Sequence, residues 1–228
     1  MKRAKILIKN KFSKSLSEHK SQESIWMMRG LKILFLKSEY VDFLNKEFVN
    51  LIDSKCKLFC SKTSDIGHSI ELQLKLSNYC HEYIIYLNQI LVASEMDDEQ
   101  TLTFIGKSLY KKQAKIMRSL YGQIESNEHK ESSNSIMKTD ALAYECIRAV
   151  QFYHESQLFF FTKFKIAQVE LNEIDMISQK LTEAHFRLEL NYFNLALDQA
   201  LKINIYDSQT KAMTLVGDSF FIVNKIMR

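Results

Sequence analysis

An all-α fold is what this sequence predicts, and three observations carry the expectation. The 228 residues contain no proline and only five glycines. A sheet protein of this length needs many tight turns, which recruit Gly and Pro for their special φ angles. Helices joined by polar loops can do without them, and proline inside a helix costs about 3 kcal/mol. Third, apolar residues recur three to four positions apart almost throughout, the period of a buried helix face. Hydrophobic residues make up 46% and charged residues 25%, a globular balance that excludes wholesale disorder and supplies a core without disulfides or metals.

Taken in order, the first twelve residues, MKRAKILIKNKF, are the one concentrated basic stretch. Their apolar run Ile6-Leu7-Ile8 is too short for a signal peptide. Residues 24–60 read as one long helix carrying Trp26, Leu34, Val41, Leu44, Phe48, Leu51 and Phe59. Polar residues from Ser61 to Ser69, Gly67 among them, break it. A second helix spans 69–93, with Leu72, Leu76, Tyr79, Tyr83, Leu87 and Leu91 on one face. Met96-Asp97-Asp98-Glu99 then supplies the negative charge that a helix N-terminus favours, and the next helix runs over 100–124.

Residues 125–135 (ESNEHKESSNS) can bury nothing and read as a loop. Helices over 136–152, 154–176 and 179–203 follow. Asn204 to Ser208 forms the last turn, with Asp207 or Ser208 as N-cap, and a final helix runs to the end. This makes about eight or nine helices with short, antiparallel connections, in a single domain over 1–228. No 34-residue self-similarity of the tetratricopeptide kind occurs.

Charge and chemistry narrow the function. The net charge of +4 is modest and spread out, so no nucleic-acid footprint is expected. No window approaches about 18 apolar residues, so no membrane span is expected. Cys56, Cys60, Cys80 and Cys146 do not form a disulfide framework, and free thiols in the cytoplasm are the simpler account. Gly106-Lys107-Ser108 ends like a phosphate-binding loop, but Thr101 stands where that motif needs its first glycine. Cys56 and Cys60 share a helix face, and Cys80-His81 could add ligands, yet no paired CxxC or Glu-x-x-His exists. Neither metal nor cofactor is expected, and the scattered histidines give no nucleophile pattern. Phe159-Phe160-Phe161 cannot all share one helix face, so at least one meets a different neighbour.

Three stretches, read in order, resemble the 14-3-3 family. Thr210-Lys-Ala-Met213-Thr-Leu215-Val216-Gly-Asp218-Ser219 keeps Thr, Met, Leu and Asp in register with the family's D-S-T-L-I-M-Q-L-L-R-D-N-L-T-L-W. Lys75-Leu76-Ser-Asn-Tyr-Cys80-His-Glu-Tyr-Ile84-Ile-Tyr-Leu87-Asn-Gln-Ile-Leu91 looks like E-L-R-D-I-C-N-D-V-L-S-L-L-E-K-F-L. His154, Leu158, Phe164 and Glu170 are spaced as in H-P-I-R-L-G-L-A-L-N-F-S-V-F-Y-Y-E. The resemblance covers most of 70–228 and implies a nine-helix antiparallel array with a concave groove. It also implies homodimers, although the segment before the long helix is short against the family's two dimer-forming helices. The implied function is that of a non-catalytic adaptor in signal transduction, holding a phosphoserine or phosphothreonine peptide of a partner protein.

Phosphate recognition in the family uses forked, charge-assisted donors, and carried over by register the set is altered. The fifth-helix Arg falls on Arg118, its Tyr partner on Ser119 (with Tyr121 two positions away), and a groove lysine on Lys111. The third-helix Lys falls on Lys37; its Arg falls on Leu44, with Lys46 the nearest cation able to substitute. The seventh-helix Asn falls on Lys163 and the last-helix Asn on Ser219, while Leu215 and Ile222 match the apolar groove wall. The resemblance thus implies phosphopeptide binding with altered or weakened selectivity. The alternative is a helical scaffold or membrane-surface protein, which would spread basic residues along one outer face; here they alternate with acidic ones. An enzyme using cysteine or metal chemistry has the least support.

Overall fold

In the computed structural model, residues 2–62, 70–131 and 136–202 are described. They form seven α-helices: α1 Lys2–Ser17, α2 Ser21–Leu34, α3 Lys37–Lys62, α4 Ile70–Ala93, α5 Glu99–Glu131, α6 Ile136–Lys163 and α7 Asn172–Lys202, with a 3₁₀ turn at Gln168–Leu171 before α7. No strand occurs among the described residues, as the missing proline predicts. The expected turn at Asn204–Ser208 and the expected last helix lie outside them.

Several boundaries differ from the sequence reading. The basic N-terminal stretch is helical, so two helices precede residue 37. The single helix expected over 24–60 is broken at Phe35, whose backbone is extended (φ −127°, ψ 155°). Glu39 restarts the chain there by accepting a hydrogen bond from the Leu36 N–H at 3.4 Å, half of a capping box. Residues 125–131 are helical rather than loop, since nothing there stops propagation; Tyr121 donates to Glu125 at 3.1 Å one turn earlier. The break expected near residue 153 is absent. α6 continues to Lys163 and the chain turns only at Lys165, where φ is 56°.

The chain groups into two compact units: Met1–Met117 with Glu155–Ile174, and Arg118–His154 with Asp175–Arg228. In the first, α1 and α2 form an antiparallel hairpin. Phe12, Leu16, Met28 and Leu31 are buried along its seam, and the Ser15 and Ser24 hydroxyls meet at 3.0 Å inside it. The hairpin turn is closed by Lys20 N–H to Ser15 O (2.9 Å) and His19 N–H to Leu16 O (3.2 Å). That Schellman pattern needs a left-handed residue, normally glycine, and His19 takes it at φ 57°. Glu95 does the same after α4, with Met96 N–H to Leu91 O at 3.0 Å. α2 secures that end of α4: Arg29 donates to Ala93 O at 3.2 Å and Lys32 to Glu95 O at 3.1 Å, placing cations on a helix C-terminus.

α3 and α4 bury Leu44, Phe48, Leu51 and Ile52 on one side and Leu74, Cys80, Ile84, Leu87 and Leu91 on the other. α5 is joined to them by polar ties. Gln113 donates to the Ser77 carbonyl at 3.2 Å in the interior, and Lys112 reaches both Asp53 oxygens at 2.9 and 2.7 Å. Asp98 caps α5, accepting from the Thr101 N–H (3.1 Å), the Thr101 hydroxyl (2.8 Å) and Lys37 (3.0 Å). Burial pushes the Asp98 carboxyl up, but Lys37 and Thr101 outweigh it and hold the group below its usual value. The three-phenylalanine run divides as expected: Phe160 packs edge-on against Tyr110 of α5 at 5.5 Å, Phe159 meets His81 of α4 at 5.1 Å, and Phe161 is half exposed.

The second unit buries Leu120 and Ile124 of α5, Ala143, Cys146, Val150 and Tyr153 of α6, and Ile177, Leu181, Ala184 and Leu188 of α7. Both α6 and α7 thus present stripes at three- and four-residue spacing. The His185 Nδ1–H donates to the Ala143 carbonyl at 3.1 Å, and since a carbonyl only accepts, this fixes the tautomer.

Two predictions follow from these contacts. A Cβ on Gly106 would lie 2.5 Å from Phe164 Cβ, whereas one on Gly122 would meet nothing within 4 Å. Gly122→Ala should therefore stabilise by about 0.5–1 kcal/mol through helix propensity. Gly106→Ala should destabilise by about 1–3 kcal/mol through overpacking; urea unfolding of the pair must give opposite signs. Asp98→Ala should cost about 1 kcal/mol at neutral pH. Because the folded carboxyl titrates lower than the unfolded one, the cap's contribution is complete above about pH 4 and is lost as pH falls through the folded value. The difference in stability between the native chain and the variant should shrink over that acidic range and nowhere else.

Candidate functional site

The sequence-predicted phosphate contacts fall on several helices. Lys37 is the first residue of α3, and its ammonium is held by Asp98 at 3.0 Å. Lys46, nine residues on, is exposed on the same helix. Leu44, on which the resemblance places a third-helix Arg, is wholly buried in the α3–α4 core, so that position faces apolar neighbours. Lys163 ends α6 and is exposed. These residues and Lys111 belong to the first unit; Arg118 and Ser119, both exposed, begin the second. Leu215, Ser219 and Ile222 lie outside the described residues.

The charge pattern of α5 is its most distinctive feature. From Gln100 to Ile124 it carries Lys107, Lys111, Lys112, Lys115 and Arg118 and no acidic residue. Lys107 pairs with Glu170 at 2.6 Å and Lys112 with Asp53 at 2.7 Å. Lys111, Lys115 and Arg118 are spaced four and three apart, which sets them along one helix face, and all three are exposed. Ser119, next to Arg118, is also exposed. Tyr121 is engaged by its own helix through Glu125 and lies under Lys180, whose ammonium is 5.6 Å from the ring.

Gly106-Lys107-Ser108 is not a phosphate loop. It sits inside α5, where Gly106 admits the Phe164 side chain and Lys107 pairs with Glu170. The four thiols do not converge on one point. Cys80 is buried and its thiol hydrogen-bonds Cys56, which lowers the Cys56 pKa and, with burial, raises that of Cys80. Cys60 is exposed. Burial alone drives the His81 imidazole down to about 4, so it is neutral. Among the described residues no group of three or more His, Cys, Asp or Glu side chains is placed to hold a metal ion, and no described helix is long and apolar enough to cross a membrane.

One concave feature escaped the sequence reading. His19, Tyr79, Glu82, Tyr83 and Tyr86 line an open cavity of about 240 Å³ beside α4. The helical period places Tyr79 and Tyr83 on one face but does not single out Tyr86. What distinguishes them is that Tyr79, Tyr83 and Tyr86 are all only partly buried while Cys80, Ile84 and Leu87, one position further on, are buried. The helical period separates these two stripes, but nothing in it says that His19 closes the aromatic one. No protein-family model, curated protein or solved structure matches this chain.

Proposed function

We propose that this chain is a non-catalytic helical adaptor that binds phosphorylated segments of partner proteins along the exposed basic face of α5. The observation that carries the reading is the acid-free stretch from Gln100 to Ile124, with Lys111, Lys115 and Arg118 exposed on one side. A phosphoseryl group brings a charge near −2 and three acceptor oxygens. The Arg118 guanidinium offers the planar fork that such a group takes bidentately, and the Ser119 hydroxyl is a further donor. Lys111 and Lys115 act as point charges extending the face about 10 Å along the helix.

The 14-3-3 resemblance supports the same reading, with the arginine lost at Leu44 accounting for a weakened site. Each exposed ion pair contributes only about 0–1 kcal/mol, so affinity depends on several cations meeting one phosphate and on contacts from the flanking peptide.

A second reading, a membrane-surface scaffold, is favoured by α1. That helix carries Arg3, Lys5, Lys9, Lys11 and Lys14 and no acidic residue, with Ile6 and Leu7 exposed among them. Several of these cations are already engaged, however. Lys5 pairs with Glu39 at 3.6 Å and Lys14 with Glu18 at 3.9 Å, while Lys9 stands over the Phe35 and Phe43 rings.

Fluorescence anisotropy with a phosphoserine peptide library, its unphosphorylated counterparts and phosphatidylserine vesicles separates the two readings. Phosphate-dependent binding, weakened at least tenfold by Arg118→Ala and several-fold by the Lys111→Ala, Lys115→Ala double variant, is the expected result. Equal binding of phosphorylated and plain peptides would overturn it, and vesicle binding lost on neutralising Arg3 and Lys11 would establish the scaffold reading instead.

A further inference from the structure

The cavity beside α4 has a composition that selects its occupant. Tyr79, Tyr83 and Tyr86 recur four and three residues apart along one face of α4, and Glu82 lies on the same side of the helix. The α1–α2 turn supplies the remaining wall. His19, held there at φ 57°, packs its ring 5.0 Å from that of Tyr83 and 5.2 Å from that of Tyr86, and its Nε2 is 3.0 Å from the Tyr83 hydroxyl. The Tyr79 and Tyr83 rings meet edge-to-face at 5.0 Å with their hydroxyls 3.2 Å apart. The result is a continuous aromatic surface opening on a space of about 240 Å³.

The charges around that space are few. Burial, and then the charge of Lys55, hold the His19 imidazole below its usual value, so it is neutral at physiological pH. Burial, and then Tyr79, push the Tyr83 hydroxyl up, so it stays a neutral phenol. Glu82 is exposed at the opening. Lys55 stands at the rim with its ammonium 5.6 Å from the Tyr83 ring, tethered to the Ser17 carbonyl at 3.2 Å; the aromatic surface thus already attracts one cation. Behind that surface, the Tyr86 hydroxyl is buried and has no hydrogen-bond partner among the described residues.

We infer that this cavity is a receptor for a trimethylammonium group, held on the aromatic rings with Glu82 as counter-charge. An anion would meet both the Glu82 carboxylate and the electron-rich ring faces. A purely apolar ligand would leave the carboxylate and the hydroxyls unmatched. A bare ammonium would have to shed tightly held water to reach the rings. A trimethylammonium group is positive, weakly hydrated and sheathed in methyls, the combination that tyrosine faces recognise. The inference rests on α4 and the α1–α2 turn alone and is independent of the phosphate reading of α5.

The test uses the full chain with tyrosine ring resonances followed by NMR. It is titrated with choline, with a peptide carrying one trimethylated lysine, and with the same peptide unmodified, at constant ionic strength. Saturable shifts of Tyr79, Tyr83 and Tyr86 with choline, the trimethylated peptide or both are expected, with at least tenfold weaker response to the unmodified peptide. Response to choline alone would make the natural ligand a free choline compound, and response to the peptide alone a methylated lysine side chain. Glu82→Gln, a surface change that leaves the packing intact, should weaken binding about tenfold, and Tyr86→Leu should abolish it while the thermal melt keeps its cooperativity. No saturable shift with either methylated ligand would overturn the inference. So would equal affinity for the unmodified lysine, or binding that survives both substitutions.

Discussion

Phe164 rests against the bare backbone of Gly106, and the first unit is organised around that approach. With no Cβ on α5 at this point, the end of α6 comes close enough for Phe160 and Phe164 to be fully buried. Around it the polar ties fall into place: the Thr103 hydroxyl donates to the Lys165 carbonyl at 3.3 Å, and Lys107 meets Glu170 at 2.6 Å. The Ile174 N–H, in the first turn of α7, donates to the Tyr110 hydroxyl at 3.2 Å. An interior this closely packed tolerates little change in volume, which is why one absent methyl group has such reach.

A helical chain without proline and nearly without glycine must still turn. His19, Glu95 and Lys165 do so in the left-handed region, and none of the described glycines does. For a residue with a Cβ that conformation costs roughly 1–2 kcal/mol. At His19 and Glu95 the surrounding structure offsets it with two backbone hydrogen bonds each. Two of the described glycines serve helix contacts instead, Gly30 against Ile8 and Gly106 against Phe164. Strain at His19 also brings an imidazole onto the aromatic face of α4, so the same residue closes a turn and walls a cavity.

The helical class was legible from the sequence because it depends on composition and on a 3.6-residue period, both local properties. The second helix was legible almost to the residue, since Gly67 and neighbouring polar residues precede it and Ser94 to Asp98 follow it. Other boundaries were not. Leu34, Phe35 and Leu36 continue the apolar period through a break that contains neither Gly nor Pro, so only the packing of α1 and α2 reveals the bend. Residues 125–131 looked incapable of burial, yet a helix already nucleated by its buried upstream turns costs little to extend. The break expected near residue 153 had no stop signal behind it.

The site followed the same division. By itself the sequence determined that the chain is helical and where Lys37, Lys46, Lys111, Arg118 and Lys163 stand along the chain; the acid-free run of α5 was equally present in it, masked by the even overall spread of charge. Only the tertiary structure decided which distant carboxylates meet these charges. Lys37 is spent on Asp98, Lys107 on Glu170 and Lys112 on Asp53, partners 59 to 63 residues away in sequence. The tyrosine stripe of α4 was likewise visible as a period, but its closure by His19, 64 residues from Tyr83, was not. Periodicity reports which residues share a face of one helix; what that face meets is set by contacts between helices, and those carry no local signature.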